Sequence, residues 1–162
     1  MMIQEIKPQT ILEFGTYDGG SSLWMSDTMK SLGYDCDIHT FDINEDRVSI
    51  PKDSGIKFHK LDNYKIQEFI SENQNLFTQL KSPILMIEDA HENAGELIRS
   101  LDPFLKAGDY LVIEDTLDQK KYNETIVAEN GINKMNYEVD TFYCDFWGIN
   151  NSWNVNSIFK KL

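Results

Sequence analysis

The sequence predicts an α/β fold: a mostly parallel, doubly wound, seven-stranded sheet with helices on both faces and an antiparallel strand at its C-terminal end. Three observations predict it. Short apolar runs alternate with longer amphipathic segments, the rhythm of repeated strand–helix units. Each run is four or five residues long, which suits a strand and not a helix. The last two such segments follow one another across a polar turn, a connection open only to antiparallel neighbours.

The elements follow in order. "TILEF" (10–14) reads as the first strand, and "SSLWMSDTMKSL" (21–32) as the helix after it. "DIHTF" (37–41) is the second strand. The link that follows, "INEDRVSIPKDSG" (43–55), is too broken by Pro51 and Gly55 to hold a long helix. "IKFHK" (56–60) is the third strand and "KIQEFISENQNLFTQL" (65–80) the next helix. "ILMI" (84–87) leads to "AGELIRSLDPFL" (94–105), where Pro103 predicts a break near Asp102. "YLVI" (110–113) is the fifth strand; "NYEVDTFYCDFWG" (136–148) and "NVNSIFKKL" (154–162) read as the closing pair, with no helix between them.

Composition narrows the function classes. At 162 residues the chain is read as one domain, 1–162. With 41% hydrophobic and 26% charged residues it has the composition of a soluble protein. Fifteen basic against 27 acidic residues leave a net charge of −12, which argues against nucleic acid or an anionic membrane as partner. No apolar run approaches the ~20 residues of a membrane span, and the first ten residues carry no secretory pattern. A cytoplasmic protein with two reduced thiols, Cys36 and Cys144, is expected.

Ligands of such sheets bind at the carboxyl ends of the strands. Here those ends are acidic: Glu13, Asp42, Asp62 with Asn63, Glu88 with Asp89, and Glu114 with Asp115. Acids also cap helices at such turns, but a complete set at five strand ends points to a site. The first turn, Gly15-Thr16-Tyr17-Asp18-Gly19-Gly20-Ser21, is glycine-rich. Yet Tyr17 stands where a dinucleotide fingerprint needs its second glycine, and Ser21 where a phosphate loop needs lysine. The turn therefore suits a nucleoside ligand without phosphate. Asp42 is placed to accept from two ribose hydroxyls, and helix N–H groups near Ser21 can hold a carboxylate. Ribose, adenine and a carboxylate without phosphate describe S-adenosylmethionine.

"EFGTYDGGS" resembles the first motif of class I S-adenosylmethionine-dependent methyltransferases, E/D-x-G-x-x-x-G-G-S. With "ILEFGTYDGGSSLW", "HTFDIN", "ILMIEDAH", "FLKAGDYLVIEDT" and the closing "YEVD…WNVNSIFKKL", nearly the whole chain is similar to the cephalosporin hydroxylase-like / rhamnosyl O-methyltransferase-like family. The resemblance implies a Rossmann-like fold and a cofactor site at Glu13, Gly15, Thr16, Tyr17, Gly19 and Ser21, with Asp42 on the ribose and Asp62 and Asn63 near adenine. The family writes that last motif G-D-S; here Leu61 and Asn63 replace the flanking residues.

Glu88, Glu114 and Asp115 form the second candidate cluster. Glu88 and Glu114 lie 26 positions apart, the spacing of equivalent ends of neighbouring strands separated by one helix. Three carboxylates at one point repel unless a cation sits among them, and oxygen ligands suit Mg²⁺, then Mn²⁺ or Ca²⁺. The resemblance implies a metal that holds substrate oxygens. Its first ligand in the family is usually Asp, so Asp89 competes with Glu88 here. His91, three residues after Glu88, stands where related enzymes carry a general base, and imidazole titrates near neutral pH. His39 and His59, inside apolar runs, read as structural. Phe142, Tyr143, Phe146, Trp147 and Trp153 read as core or dimer surface, with an acceptor pocket as the other option.

The expected activity is S-adenosylmethionine-dependent, metal-assisted O-methylation of a hydroxyl on a small molecule or sugar. The competing reading is a non-catalytic cofactor-binding module serving a partner. A hydroxylase lacks support, because three scattered histidines offer no 2-His-1-carboxylate iron set. The family's helices ahead of the first strand are nearly absent, since that strand begins about ten residues in. A homodimer that completes the site is therefore expected.

Overall fold

A computed structural model of the chain describes residues 1–116, 135–149 and 155–162. Its seven strands are β1 (Thr10–Phe14), β2 (Asp37–Asp42), β3 (Lys57–Lys60), β4 (Ile84–Glu88), β5 (Tyr110–Ile113), β6 (Tyr137–Val139) and β7 (Ile158–Lys161). They form one sheet in the order β3-β2-β1-β4-β5-β7-β6. The first five are parallel, while β7 runs antiparallel to both β5 and β6. This is the α/β, Rossmann-like architecture expected. Strand order reverses between β1 and β4, and a crevice opens beyond their carboxyl ends.

Helices cover both faces because side chains alternate along the buried strands. Ile11, Ile38, Leu85 and Val112 face Ile3 of helix α1 (Met2–Ile6), Met25 and Met29 of α2 (Gly20–Ser31), and Cys144 of α6 (Thr141–Cys144). Leu12, Phe14, Phe41, Ile84, Met86 and Leu111 face the other way. They pack on α3 (Ile66–Glu72), α4 (Gln74–Thr78) and α5 (Ala94–Leu101). The interior strands β1, β4 and β5 are buried almost throughout, whereas β3 at one edge exposes Lys57 and Lys60, which discourages further strand pairing.

Three local readings are corrected. The helix expected over 65–80 is two helices, because Asn73 turns its side-chain amide back onto the Phe69 carbonyl at 2.9 Å and interrupts the ladder. The strand expected over 136–148 is only Tyr137–Val139: Asp140 caps α6, its carboxylate accepting from Tyr143 N–H, so a short helix does lie between β6 and β7. The five-residue α1 carried no periodic signal and was not expected. The break at Pro103 falls as expected, with α5 ending at Leu101 and a 3₁₀ turn over Asp102–Phe104.

His39 and His59 sit on adjacent strands with His39 Nδ1 and His59 Nε2 2.9 Å apart. Burial pushes the His39 imidazole down to about 4, with His59 beside it adding to the shift, and burial lowers His59 as well. The folded state thus favours the neutral pair. Its contribution is complete above the unfolded value near 6.5 and is lost as pH falls toward 4. Denaturant titrations are expected to show wild type losing about 1–2 kcal/mol more than His39→Gln over that window, after allowance for solvent screening. Parallel stability profiles would refute this.

Candidate functional site

The turn after β1 is built around a buried carboxylate. Glu13 is 2% exposed and its alternation with Leu12 sends it to the α2 face. There it accepts from the hydroxyls of Ser21 and Ser22, and from Thr40 Oγ1 at 2.8 Å. Thr40 Oγ1 also meets Thr16 Oγ1 at 2.6 Å. One side chain therefore ties the end of β1, the first turn of α2 and the end of β2 together. Ser22 and Thr40, both fully buried, were not marked by any spacing in the sequence.

Two glycines are dictated by close approach. Gly15 has φ +110°, and a Cβ there would lie 2.6 Å from the Asp89 carbonyl carbon and 2.8 Å from Ala90 N. Gly19 has φ +92°, and its Cβ would meet Ile50 at 2.3 Å. The β2–β3 link thus folds over the turn. Ser49 N–H donates to the Asp18 carbonyl at 3.0 Å, and the Arg47 guanidinium stands 5.4 Å from the Tyr17 ring centroid.

A cavity of about 780 Å³ opens beside this turn, within the size range of small-ligand sites. Gly15, Thr16, Tyr17, Ser21, Asp42, Asp62 and Asn63 line it, as do Phe41, Ile43, Leu61, Tyr64 and Glu92. Of the residues expected at a cofactor, Glu13 lies behind the wall and Gly19 beneath the turn. Asp42 is braced by two main-chain donors, Tyr17 N–H on Oδ2 and Asn44 N–H on Oδ1, each at 2.9 Å. Its remaining lone pairs are available to the cavity. Asp62 caps a 3₁₀ turn through Tyr64 N–H at 3.0 Å, and Asn63 donates to the Glu92 carbonyl at 3.1 Å. Tyr64, Glu92 and Ile43 were missed by sequence reasoning; only their nearness to strand ends could have flagged them. Five carboxylates and no basic side chain are among the described residues of the lining.

Beyond Asp89 the cavity abuts a cluster. Donor atoms of Asp89, His91 and Asp115 all lie within 4.8 Å of one another. His91 Nε2 is 3.4 Å from Asp89 Oδ1 and 3.7 Å from Asp115 Oδ2. Burial raises the Asp89 carboxyl above its ordinary value, with Asp115 and Glu13 adding like charge against the opposing pull of His91.

Of the three expected metal ligands, only Asp115 is in this group. Glu88 alternates with Ile87, so its side chain shares the α5 face with Met86 and is fully buried. Its Oε1 accepts His91 N–H at 2.9 Å, and its Oε2 has no partner among the described residues. Burial pushes this carboxyl up to about 7, against the pull of His91 and the neighbouring N–H groups. Glu114 adjoins Glu88 through its own N–H on the Glu88 carbonyl at 2.9 Å, outside the three-residue group. The aromatic residues Phe142, Phe146 and Trp147 are exposed, whereas Tyr143 packs against the α1–α2 face; Trp153 lies outside the described residues.

Residues 1–139 match the family model described as Rhamnosyl O-methyltransferase/CmcI. The chain belongs to that family. Among rhamnosyl O-methyltransferase/CmcI relatives, the Rhamnosyl O-methyltransferase of Mycobacterium tuberculosis is 28% identical over 122 residues, covering 71% of this chain and 49% of the relative. That of Mycobacterium leprae is 28% identical over 117 residues, 69% and 50%. The chain thus spans about half the length of the curated relatives it matches. The family fold is equally clear in solved structures. CmcI in its apo form superposes with a TM-score of 0.82 at 25% identity, over 99% of this chain and 67% of that one. CmcI with Mg and SAM gives 0.74 at 27% identity, over 99% and 68%.

Proposed function

We propose that the protein is an S-adenosylmethionine-dependent, divalent-metal-assisted O-methyltransferase acting on a hydroxyl of a sugar or other small molecule. The observation that carries this reading is the position of Asp89, which lines the nucleoside-sized cavity and also belongs to the Asp89–His91–Asp115 cluster. A methyl donor and a cation would therefore meet at one residue. Relatives named rhamnosyl O-methyltransferases and the CmcI structure with Mg and SAM support the same pairing. The reading treats residues 1–162 as one cofactor-binding domain.

The residues present fit both groups. A Cβ at Gly15 would collide with the chain at Asp89, so the turn and the loop after β4 meet at the cavity's edge. An acidic lining with no basic side chain among its described residues repels pyrophosphate but suits a sulfonium and an ammonium. Asp42 would hold the ribose, the helix N-terminus beside Ser21 the carboxylate, and Asp62 and Asn63 the adenine side. Asp89 and Asp115 crowd like charges at 3.4 and 3.7 Å from His91 Nε2, the situation a divalent cation relieves. Bound there, Mg²⁺, Mn²⁺ or Ca²⁺ would orient an acceptor hydroxyl and lower its pKa. His91 Nε2, beside both Asp89 and Asp115, takes the hydroxyl proton, and the surrounding walls hold the oxygen close to the donor methyl.

Calorimetry should detect S-adenosylmethionine binding that Asp42→Ala weakens by about 1–3 kcal/mol, the value of hydrogen bonds to a charged group. Methyl transfer to a panel of hydroxyl acceptors separates the enzyme from a binding module. Tight NAD binding with no uptake of S-adenosylmethionine would sink the reading.

Exposed Phe142, Phe146 and Trp147, of a kind enriched at interfaces, support a homodimer through α6. Light scattering at high micromolar concentration should give twice the chain mass; a monomer would exclude it. Cys36 and Cys144 are not joined in a disulfide, in keeping with a cytoplasmic location. No helix among the described residues is long and apolar enough to cross a membrane.

A further inference from the structure

We propose that a second cavity, at the amino ends of β1, β2 and β3, binds a small organic oxyanion, a carboxylate or a phosphate monoester, through Lys57, Lys81 and His39. The cavity measures about 400 Å³, and Asp37, His39, Lys57, Lys81, Leu76 and Leu80 stand in its wall. It lies at the opposite end of the strands from the glycine turn. The cavity by that turn has five carboxylates and no base among its described lining, whereas this one has two lysines and a histidine to a single carboxylate. On a chain of net charge −12, such a local reversal favours an anion.

Local structure holds the two lysines. Thr10 is buried at the start of β1. Its Oγ1 donates to the Lys81 carbonyl at 2.9 Å and accepts Lys81 N–H at 3.0 Å. The main chain of Lys81 is thus fixed, while its ammonium has no partner among the described residues. Lys57 gives one N–H to Asp37 Oδ1 at 2.8 Å and keeps its other donors. Lys57 holds the Asp37 carboxyl below its ordinary value, with His39 and Lys81 adding to the pull. The one acid that an incoming anion would meet is therefore already balanced by its neighbours.

His39 supplies the directional contact. It is 5% exposed, and strand parity puts it on the face of Phe41. Its Nδ1 is 2.9 Å from His59 Nε2, and its Nε2 has no partner among the described residues. Burial keeps both rings uncharged at neutral pH, so each carries one proton. With His59 Nε2–H donating to His39 Nδ1, the His39 proton sits on Nε2 and is offered to the cavity. A buried donor beside two ammonium groups matches the acceptor oxygens of a carboxylate or phosphate. Leu76 and Leu80 add apolar lining, and the volume exceeds that of a bare ion, so the oxyanion is carried on a small organic body.

Imidazole nitrogen NMR of the full chain tests this without reference to activity. The chain has three histidines, and His39→Gln and His59→Gln identify two of the rings. Inorganic phosphate or isobutyrate is titrated in, against sodium chloride at equal ionic strength. His39 Nε2 should shift toward its N–H position and saturate, while His91 stays in place. The tighter of the two probes tells a phosphate source from a carboxylate one. Lys81→Gln leaves the main-chain clasp on Thr10 intact and should weaken that probe roughly fivefold or more, the worth of a charge-assisted hydrogen bond at an exposed site. Circular dichroism checks that the variant is folded. No shift with either probe, the same shift with chloride, or wild-type affinity in folded Lys81→Gln overturns the assignment.

Discussion

Gly15→Ala is expected to cost roughly 2–4 kcal/mol of stability and to remove measurable S-adenosylmethionine binding, the sum of a strained backbone and an overpacked contact. The added methyl would lie 2.6 Å from the Asp89 carbonyl carbon, 2.7 Å from its oxygen and 2.8 Å from Ala90 N. All three are main-chain atoms, so no side chain can move aside. The φ of +110° adds strain for any L residue. Relief would require the loop after β4 to withdraw, taking Asp89 away from the cavity, so Mn²⁺ affinity should fall as well. Gly33→Ala is the control: φ is +74°, but nothing lies within 4 Å of its Cβ, and only the backbone cost of about 1 kcal/mol is expected. Denaturant titration and calorimetry read both quantities. Near-wild-type stability and affinity in Gly15→Ala would show that the two loops are not in the contact described.

Glu13→Ala should destabilise the protein by about 3 kcal/mol and weaken S-adenosylmethionine at least roughly tenfold, since hydrogen bonds to a buried charge are strong and their orphaned partners are penalised. Ser21, Ser22 and Thr40 all donate to this carboxylate. Ser22 and Thr40 are fully buried and have no water to turn to. The Thr40–Thr16 contact at 2.6 Å survives and offsets part of the loss. Thr40→Val, which deletes one donor and keeps the volume, should cost about 1 kcal/mol. The affinity loss would be indirect, because Glu13 lies behind the cavity wall and acts by holding Ser21 and the turn in place. Unchanged cofactor affinity in a folded Glu13→Ala would mean that the turn is organised by its glycines alone.

Sequence alone was enough for the five parallel strands, because each is a short run with an apolar core bounded by breakers, and burial of the interior strands on both faces demands such runs. It was also enough for the glycine turn and the acid at the next strand end. Gly15, Ser21 and Asp42 are local in their chemistry and lie where strands end. The antiparallel direction of β7 was expected from a short polar turn; β7 is antiparallel to β5 and β6, although a helix, and not that turn alone, stands before it.

The rest depended on one local cap and on contacts distant in sequence. Helix α6 appears because one carboxylate, Asp140, caps a run whose aromatic composition favours a strand. The hub on Glu13 joins residues up to 27 positions apart, a distance no periodicity reports. Spacing pointed to Glu88 with Glu114 and Asp115 as the acidic cluster, and the resemblance left Asp89 as a competitor. Strand parity turned Glu88 into the α5 core, and the first residue free of that parity, Asp89, met His91 and Asp115 instead. Composition and spacing put carboxylates at the right edge of the sheet; which of them faces the site is decided by the pleat of one strand and the turn that leaves it.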